Sequence, residues 1–416
     1  MQFHLLSFEG CDPYSRAGGV ASRVTGLAES LAALGYETHL WFIGDPDLPG
    51  HEERGNLHLH RWCQWISRYH RAGVYDGEEG KRSDYARSLP PHLATLIVPL
   101  LRAGESVVVL AEEWQTVDAV LHLDWLLQLA GVRDHAHVFW NANNVFGFDR
   151  VDWKRLAAAA CITTVSRYMK HLMWRRGVDP IVVPNGLPPD AFEWPEQGAV
   201  EEFRRRSGER PVFAKMARWD PDKRWLLTVD IVGELKRAGL GPLLIARGGV
   251  ESHGGEVMER AGRRGLRVVE RMVREPGVRG LLAAVDGASD ADVISLRSPV
   301  DADARRLLFR GASTVLANSG HEPFGLVALE AMAVGGIACT GCSGEDYAVP
   351  GWNALVMQTA TPREFVDLYD QLRANPAEAA ALRHAGRATA ETFAWVEVVR
   401  RNLFPAIALD ERRTPR

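Results

Sequence analysis

The sequence predicts an α/β protein built from two doubly wound domains, each with a parallel sheet covered by helices. Short apolar segments alternate with longer helical patterns, which is typical of parallel sheets. This alternation stops after residue 183 and starts again near residue 212, so two sheets are expected. A chain of 416 residues is long enough for two domains that each bury a core of their own.

The first domain is predicted over residues 1–186. A helical pattern over residues 20–34 follows a glycine-containing loop, and Gly35 is suited to end it. The strands predicted in this domain are residues 3–8, 38–43, 106–111, 137–140, 161–165 and 181–183.

Residues 51–92 interrupt the alternation with aromatic, histidine, glycine and proline residues. A long irregular insertion in a compact domain is usually functional or disordered, and the aromatic content argues against disorder. We interpret this insertion as an acceptor-binding wall or a lid. A surface flap that packs on its own tryptophans is the alternative.

A proline-rich polar segment, residues 187–198, predicts a linker to a second domain over residues 199–385. A helix over residues 386–407 and a frayed tail over residues 408–416 are expected to follow. The strands predicted in this half are residues 212–216, 243–246, 267–269, 293–296, 314–317, 337–339 and 354–357. The predicted helices are residues 225–238, 255–263, 302–310, 324–334 and 362–373, with a final helical pattern over residues 378–403.

Charge and hydropathy exclude several classes of protein. The net charge is −4 without long runs of one sign, so no nucleic-acid partner is expected. The first residues lack the pattern of a signal peptide, and no apolar stretch approaches transmembrane length. We expect a cytoplasmic protein without stable membrane insertion. The basic segment 167–176 leaves open a peripheral position at the inner membrane face, although a helix packed by its Met and Leu residues is favoured.

The cysteines and histidines show no metal-binding or redox pattern that stands out. Five cysteines are an odd and sparse set, so a disulfide framework is not expected. Cys339 and Cys342 form a C-x-x-C without a second pair, which favours packing over redox chemistry. The fourteen histidines show no H-E-x-x-H or similar spacing. The sequence therefore predicts neither a metal site nor a cofactor.

The segment 321–332 carries two carboxylates, Glu322 and Glu330, on either side of a Pro-Phe-Gly turn that opens an apolar helix. A helix start has unpaired N–H groups and the positive end of the dipole, so it favours a phosphate. Eight helical residues climb about 12 Å, so both carboxylates can reach one elongated ligand. Phosphates at the amides and hydroxyls at the carboxylates indicate a nucleotide sugar, with a core helix carrying one buried, paired glutamate as the alternative.

A second cluster, Arg218 and Lys223, follows the strand predicted at residues 212–216. In open α/β sheets ligands bind where strands end. Arginine supplies a planar fork and lysine a point charge, and together they can neutralise a diphosphate. Two solvated surface cations are the alternative for this pair taken alone.

Both clusters together resemble the retaining, nucleotide-sugar-dependent glycosyltransferases of family 4, which have the GT-B fold with an E-x7-E motif. Three further segments extend the resemblance over most of the chain. They are Asn185-Gly186, which resembles the interdomain "PNG" segment, residues 163–167, which resemble the "VS" strand end, and residues 18–20, which resemble the N-terminal glycine loop. The resemblance implies two Rossmann-like domains that face each other across a cleft, with the donor in the second and the acceptor in the first. It also implies that the last helix returns to the first domain.

The resemblance implies roles for the donor side. Arg218 and Lys223 would stabilise the departing diphosphate without a metal, and Glu322 would contact the donor sugar, which makes these three the catalytic residues. Glu330 would accept hydrogen bonds from the ribose hydroxyls, and His321, Phe324, Gly325 and Leu326 would line the donor. Gly18 and Gly19 would let backbone approach a phosphate or sugar, with a tight turn as the alternative. Arg247 follows a strand and is a further donor-site candidate.

The acceptor side carries weaker signals. Glu113 and Trp114 resemble a family loop in which an acidic residue binds acceptor hydroxyls and a tryptophan stacks on a sugar; an acidic helix N-terminus is the alternative. The main departure is at Asn141, Asn143 and Asn144, since the family often has a histidine at this strand end. Asparagine cannot shuttle a proton but can bind sugar hydroxyls.

These observations predict a retaining hexosyltransferase. The donor would be a UDP-, GDP- or ADP-sugar, and the acceptor a hydroxyl of a saccharide, a small metabolite or a lipid-linked sugar. A glucan phosphorylase of GT-B fold would need a pyridoxal-phosphate lysine and a much longer chain, and neither is evident. A catalytically silent nucleotide-sugar or carbohydrate-binding scaffold is the remaining alternative, and the asparagine at position 141 motivates it.

Overall fold

The apolar segments of the first half assemble into one sheet. In the computed structural model, which describes residues 1–287 and 290–413, this sheet has eight strands. They are β1 Gln2–Leu6, β2 Glu37–Ile43, β3 His51–Arg54, β4 Leu57–Trp62, β5 Val107–Glu112, β6 Ala136–Ala142, β7 Cys161–Thr164 and β8 Ile181–Val182. Their order is β3-β4-β2-β1-β5-β6-β7-β8, and all neighbours are parallel except β3 with β4. β2, β3 and β4 lie on one side of β1, and β5 to β8 lie on its other side. The direction of strand addition therefore switches between β1 and β5.

Helices accompany this sheet. They are α1 Gly19–Ala33, α2 Gln64–Ser67, α3 Glu78–Arg102, α4 Val117–Leu129, α5 Trp153–Ala159 and α6 Arg167–Trp174. The apolar side of α1, with Val24, Leu27 and Leu31, belongs to one core with Phe3 and Leu5 of β1. Because strand side chains alternate between faces, every second residue of β1 joins this core.

The insertion at residues 51–92 is not irregular, contrary to the expectation. It forms β3, β4, α2 and the first half of α3. The burial of β4 alternates, with Leu57 and Leu59 inside and His58 and His60 between them, which is the period of a strand. The histidines and the later prolines hid this alternation in the sequence.

Helix α3 contains Pro90, Pro91 and Pro99, which argue against a helix in the sequence. Proline lacks the N–H that would bond the carbonyl four residues earlier. For Pro90 that carbonyl belongs to Ala86, and the ring of His122 on α4 lies 2.9 Å from it through Nδ1. A side chain of the neighbouring helix therefore satisfies one group that the proline leaves open.

The second half forms a second, fully parallel sheet of seven strands in the described part of the chain. They are β9 Val212–Met216, β10 Leu243–Arg247, β11 Val268–Arg271, β12 Val293–Leu296, β13 Thr314–Ala317, β14 Ala338–Thr340 and β15 Leu355–Val356. Their order is β11-β12-β10-β9-β13-β14-β15, so the strand order switches between β9 and β13. This second sheet, like the first, confirms the predicted doubly wound α/β class.

The helices of this half are α7 Gln197–Arg206, α8 Trp225–Arg237, α9 His253–Arg263, α10 Gly277–Val285, α11 Ala302–Gly311, α12 Leu326–Ala333, α13 Pro362–Ala374 and α14 Pro376–Glu391. A core that includes Phe213, Trp225 and Phe365 joins the sheet to α8 and α13.

The predicted linker at residues 187–198 is structured in part: Pro189–Phe192 is a 3-10 turn, and α7 begins at Gln197.

The final helix is not continuous over residues 378–403 as expected. It ends with α14 at Glu391, and the chain then forms α15 Trp395–Val398, a π-helical turn Val399–Leu403 and α16 Phe404–Arg413. The break exists because the backbone pairs with Leu187, whose N–H donates to Phe393 O at 2.7 Å and whose carbonyl accepts from Trp395 N at 3.0 Å. Residues 408–413 of the predicted tail are helical, and residues 414–416 lie outside the described residues.

The chain divides into two compact units. One comprises Met1–Pro188 together with the chain from Phe393 onward, and the other comprises Pro189–Thr392. The C-terminal segment of the first unit was predicted to start at residue 386. It starts at Phe393 instead, and residues 386–391 belong to the second unit. Among the described residues, no helix combines the length and the apolar character that a membrane crossing requires.

Helix α1 packs closely on the indole of Trp395 at Gly26. A Cβ at this position would lie 2.2 Å from Trp395 Nε1, a ring buried in the same core. We predict that Gly26→Ala lowers the free energy of unfolding of the first unit by about 1–3 kcal/mol, because the indole must shift. Denaturant unfolding followed by tryptophan fluorescence measures the effect.

The matched control is Gly80→Ala in α3, where a Cβ would meet only Ile66 Cγ2 at 4.0 Å. This exposed helical glycine should gain stability, since alanine is the better helix former by about 0.5–1 kcal/mol. Equal effects of the two substitutions would contradict the close packing at Gly26.

Candidate functional site

Arg218, Lys223 and the donor-side residues predicted within the segment 321–330 gather at the switch point of the second sheet, after β9 and β13. A 3-10 turn, Pro221–Lys223, follows β9, and Asp220 caps it by accepting from Asp222 N at 2.8 Å. Trp225 Nε1 donates to Arg218 O at 2.7 Å, which fixes the backbone of the loop. The Arg218 side chain itself is exposed.

The structure brings Lys223 and Glu322 together. Lys223 Nζ lies 2.6 Å from Glu322 Oε2, and each side chain is about one-fifth exposed. A cation after one strand therefore meets a carboxylate after the neighbouring strand. The imidazole of His321, by contrast, is 73% exposed and lies 3.6 Å from Asp222 Oδ1.

The turn between Glu322 and α12 depends on Gly325. Its φ is +88°, and a Cβ there would lie 2.7 Å from Glu345 Cγ and 2.9 Å from Tyr347 Oη. Tyr347 Oη donates to the carbonyl of Gly325. The helix was predicted to begin at Phe324, but α12 begins at Leu326. Phe324 is a buried residue of the preceding turn. The turn thus holds the first amides of α12 in place beside Glu322.

Glu330 lies on α12, with about one-fifth of its side chain exposed. Burial raises the pKa of this carboxyl, while Arg305 on α11, with Nη2 3.5 Å from Oε1, acts in the opposite direction. Glu330 is therefore held in place by one cation and keeps an accessible edge.

Two further buried groups lie at this switch point: Glu345, which the sequence offered as a loose match to a family glutamate that touches the nucleotide or caps the next helix, and Lys215, which it did not single out. Glu345 has an Oε1 without a hydrogen-bond partner, and burial followed by repulsion from Glu322 raises its pKa to about 7. Lys215, inside β9, donates from Nζ to Leu316 O at 3.1 Å and to Asn318 Oδ1 at 2.7 Å. Burial, with Lys223 next, lowers the Lys215 pKa to about 7. A lysine within an otherwise apolar strand was the signal in the sequence for Lys215.

A cavity of about 490 Å³ opens beside the end of β10. Its lining includes Trp219, Arg247, Gly248, Gly249 and Glu251. A Cβ on Gly248 would lie 1.8 Å from Trp219 Cε2, so the glycine makes room for the indole. Glu251 Oε2 accepts from Trp219 N at 2.9 Å and holds the loop after β9 against this cavity. Arg247 is thus placed at a wall of the cavity, as its position after a strand suggested.

The glycine pair in the first unit lies at the start of α1 and faces a carboxylate of the same chain. Glu9 Oε2 accepts from Gly18 N at 2.9 Å and from Ala17 N and Ala21 N at 3.2 Å. Tyr75 Oη donates to Glu9 Oε1 at 2.6 Å. A Cβ on Gly18 or Gly19 would meet no atom within 4 Å. The amide of Gly18, predicted for the donor, is therefore engaged by Glu9 in this structure.

Glu113 and Trp114, the acceptor-side candidates after β5, are buried. Glu113 has a φ of +68° and accepts from Asn143 N at 2.7 Å through Oε1, and burial raises its pKa to about 8. The indole of Trp114 has the guanidinium of Arg150 4.5 Å from its centroid. A sugar has no open face of Trp114 to stack on in this conformation.

Asn141 and Asn143 both donate to Glu112 Oε2, at 2.8 and 2.7 Å. Glu112 also pairs with Arg23, and Asn141 Oδ1 accepts from Thr163 Oγ1 at 2.9 Å. Asn144 instead caps a turn by accepting from Phe146 N at 2.7 Å. The asparagine that departs from the family pattern is thus part of a buried network.

The C-x-x-C pair is not a disulfide, because Cys339 and Cys342 are both free thiols. Cys339 is fully buried in β14, and burial raises the pKa of its thiol. A thiol held protonated in an apolar core is a poor nucleophile. This geometry fits packing, the interpretation that the sequence favoured.

Comparison with known proteins assigns the fold. No family model matches the chain. A segment of 107 residues is 33% identical to D-inositol 3-phosphate glycosyltransferase of Streptomyces avermitilis, and it covers 25% of this chain and 23% of that relative. The match thus spans about a quarter of the curated relative.

Solved structures match over almost the whole chain. The catalytic domain of starch synthase IV from Arabidopsis thaliana has a TM-score of 0.70 at 14% identity, covering 99% of each chain. A trehalose-phosphate synthase from Burkholderia xenovorans gives 0.67 at 14% identity, covering 98% of this chain and 100% of that one. Sucrose-phosphate synthase from Thermosynechococcus elongatus gives 0.63 at 18%, covering 99% and 98%. At such identities the likeness concerns the fold, and the chain has the GT-B fold that the sequence predicted.

The lowered pKa of Lys215 predicts a pH-dependent stability. The folded state releases the proton near pH 7, whereas an unfolded lysine keeps it to about pH 10.4. Between these values the unfolded chain binds more protons, so stability rises with pH. Relative to Lys215→Met, the wild-type free energy of unfolding should rise by roughly 2 kcal/mol between pH 7 and pH 9.

Denaturant unfolding at pH 7, 8 and 9 of both proteins measures this difference, and the methionine variant serves as the control for every other titrating group. If the free energies of unfolding of the two proteins change equally with pH, Lys215 stays protonated in the folded state.

Proposed function

We propose that this protein transfers a hexose from a nucleotide-diphosphate sugar to a hydroxyl acceptor with retention of anomeric configuration, as the family 4 glycosyltransferases do. The observation that carries the proposal is the Lys223–Glu322 contact, which lies at the switch point between β9 and β13 beside the turn into α12. A cation, a carboxylate and a helix start at one sheet edge suit a ligand that carries both phosphates and hydroxyls.

The diphosphate would lie against Arg218, Lys223 and the first amides of α12. Departure of the nucleoside diphosphate leaves negative charge on its terminal phosphate, and fixed cations and N–H groups stabilise that charge in the transition state. The accessible Arg218 fork is free to bind two phosphate oxygens. The reaction needs no metal in this arrangement, because two side-chain cations and a helix dipole supply positive charge.

Lys223 and Glu322 would exchange partners when the donor binds. Lys223 Nζ lies 2.6 Å from Glu322 Oε2 in this structure. A phosphate near Lys223 competes for the ammonium, and Glu322 is then available to hydroxyls of the donor sugar. Because the pair is partly exposed, breaking it costs little compared with a buried ion pair.

The nucleoside would occupy the cavity of about 490 Å³, which has the size of a small-molecule pocket. Glu330 on α12 would accept from the ribose hydroxyls with its accessible edge. Structural neighbours are consistent with this class of donor: the starch synthase structure contains ADP and acarbose, and HepE of Anabaena was solved with UDP-glucose. The donor nucleotide expected for this chain is UDP, GDP or ADP.

The acceptor would bind in the first unit, as a saccharide, a small metabolite or a lipid-linked sugar. The trehalose-phosphate synthase from Burkholderia xenovorans was solved with glucose-6-phosphate. The buried Asn141 does not act as a base here, and none is required if the departing phosphate accepts the acceptor proton. A silent binding scaffold stays the alternative, because the asparagines at this strand end are occupied by Glu112.

A thermal-shift panel of UDP, GDP, ADP and their glucose and mannose conjugates tests the donor pocket. A ligand that binds the folded state raises the melting temperature according to its affinity. One nucleotide-specific shift identifies the base, and its absence for every conjugate contradicts the proposal. Turnover of the matching donor, with the anomer of the product followed by NMR, separates a retaining enzyme from a scaffold that binds without transfer or hydrolysis.

We predict that Glu330→Ala and Lys223→Ala each lower donor binding or turnover by at least about tenfold, which corresponds to about 1.4 kcal/mol. The reason is that each removes a polar contact with the ribose or with the departing diphosphate. Steady-state kinetics with the donor found in the thermal-shift panel measures the loss, and a chelator should leave the wild-type rate unchanged.

The matched controls are Glu234→Ala and Lys236→Ala on α8, whose side chains pair with Arg237 and Asp292. These two variants should keep wild-type kinetics. Unchanged kinetics in both site variants would remove the donor assignment, whereas a loss in the controls would indicate general destabilisation of the unit.

A further inference from the structure

Five histidines cross one face of the first sheet: His4, His39, His51, His58 and His60, which we call the histidine band. In the sheet register His4 pairs with His39, His39 with His58, and His60 with His51. The neighbouring residues in these strands point to the opposite face, where Phe3, Leu40 and Leu59 join the core with α1. The band is therefore a product of strand register and not of sequence spacing.

The rings of the band stack in line. Centroids are 4.6 Å apart for His4 with His39 and for His39 with His58, and 4.7 Å apart for His51 with His60. Glu37 lies two residues before His39, and Glu53 pairs in register with His58. Carboxylates therefore lie beside the imidazoles on β2 and on the edge strand β3.

A chain of hydrogen bonds assigns the tautomers. Trp41 Nε1, which can only donate, lies 3.2 Å from His4 Nδ1, so His4 carries its proton on Nε2 and donates to Gln2 Oε1 at 3.0 Å. The Gln2 amide nitrogen then donates to His39 Nε2 at 3.1 Å. His39 in turn donates from Nδ1 to His60 Nε2 at 3.0 Å.

In this tautomer the lone pair of His39 Nε2 accepts from the Gln2 side-chain amide, and Glu37 Oε1 lies 3.3 Å from the same nitrogen. Two acceptors therefore lie side by side on neighbouring positions of β2. In a tetrahedral zinc site with bonds of about 2.0–2.1 Å, neighbouring ligand atoms are about 3.3 Å apart. The two atoms already have that separation, and the His39–His60 hydrogen bond fixes the ring in the way that outer partners fix metal-binding histidines.

His58 supplies the third ligand. One ligand atom from each of Glu37, His39 and His58 lies within 4.8 Å of the others, and side-chain rotation can reduce these separations. A second trio, His51, Glu53 and His58, shares the same histidine. Its shortest carboxylate contacts are longer, at 3.7 and 3.9 Å, so the first trio is better formed.

We propose that Glu37, His39 and His58 bind one divalent transition-metal ion such as Zn²⁺, with the fourth position open to water. Two imidazole nitrogens and one carboxylate favour zinc, cobalt or nickel over calcium and magnesium, which prefer oxygen ligands. The ion would replace the amide proton of Gln2 at His39 Nε2 and would clamp β2 to β4. The sequence predicted no metal site, because these ligands come from separate strands. The proposal does not depend on glycosyl transfer.

The test uses tag-free protein, stripped with a chelator and titrated with Zn²⁺ by calorimetry and with Co²⁺ by visible absorption. We expect one ion per chain and a visible Co²⁺ spectrum. Glu37→Gln and His58→Gln should each weaken Zn²⁺ binding by at least about tenfold. His171→Gln, which changes an exposed histidine on α6, is the matched control and should bind as the wild type does.

Glu37 is half-exposed, so Glu37→Gln is expected to fold even if His58→Gln does not. Unaltered Zn²⁺ affinity in Glu37→Gln overturns the proposal. It is also overturned if His51→Gln abolishes binding while Glu37→Gln does not, because the ion then lies in the second trio. Absence of saturable binding in the wild type, with donor binding intact, would refute the metal site and leave the proposed function standing.

Discussion

The first unit depends on one buried ion pair, between Arg23 of α1 and Glu112 of β5. Arg23 Nε lies 2.9 Å from Glu112 Oε1, and both side chains are 2% exposed. Removing two charges from water is costly unless their other hydrogen-bonding positions are filled. Here several of them are filled: Arg23 Nη1 donates to the carbonyls of Val183 and Pro184 and to Asn185 Oδ1, and Glu112 accepts from Asn141 and Asn143. One pair thus fixes α1, two strands and the segment after β8 at the switch point of the sheet.

At the switch point of the second sheet, cationic side chains are prominent, whereas the switch point of the first sheet is occupied by a buried ion pair. Lys215 is buried among neutral acceptors, Arg218 is exposed, and Lys223 reaches only the carboxylate of Glu322. Glu345 keeps one buried oxygen without a partner. The exposed Arg218 and the partly exposed Lys223 are suited to an anionic ligand, because cations that the fold already positions need little rearrangement when the ligand arrives. This difference between the sheets explains why we assign the diphosphate to the second unit.

The sequence predicted the doubly wound fold and every described strand except β3 and β4, because the spacing of apolar residues and the glycines at strand and helix ends are local signals. It did not predict β3, β4 and α3, since histidines occupied the half-buried face of β4 and prolines interrupted the helical pattern of α3. The partner that compensates one proline, His122, is distant in sequence. The candidate site shows the same limit. Motif spacing selected Lys223 and Glu322, which the structure places in contact, whereas the burial of Trp114 and the hydrogen bonds of Asn141 depend on strand register and on loops that no motif describes.

The loop after β1 has a negative group where the glycine pair suggested a phosphate site. Glu9 takes the amides at the start of α1, and Tyr75 from the segment that resembled an insertion holds the carboxylate in place. A phosphate at these amides would first have to displace Glu9 against like charge. A hydroxyl would not, because it can donate to a carboxylate oxygen. The start of α1 is therefore better suited to hydroxyl groups than to phosphates, and a tyrosine outside the recognised motifs contributes to that preference.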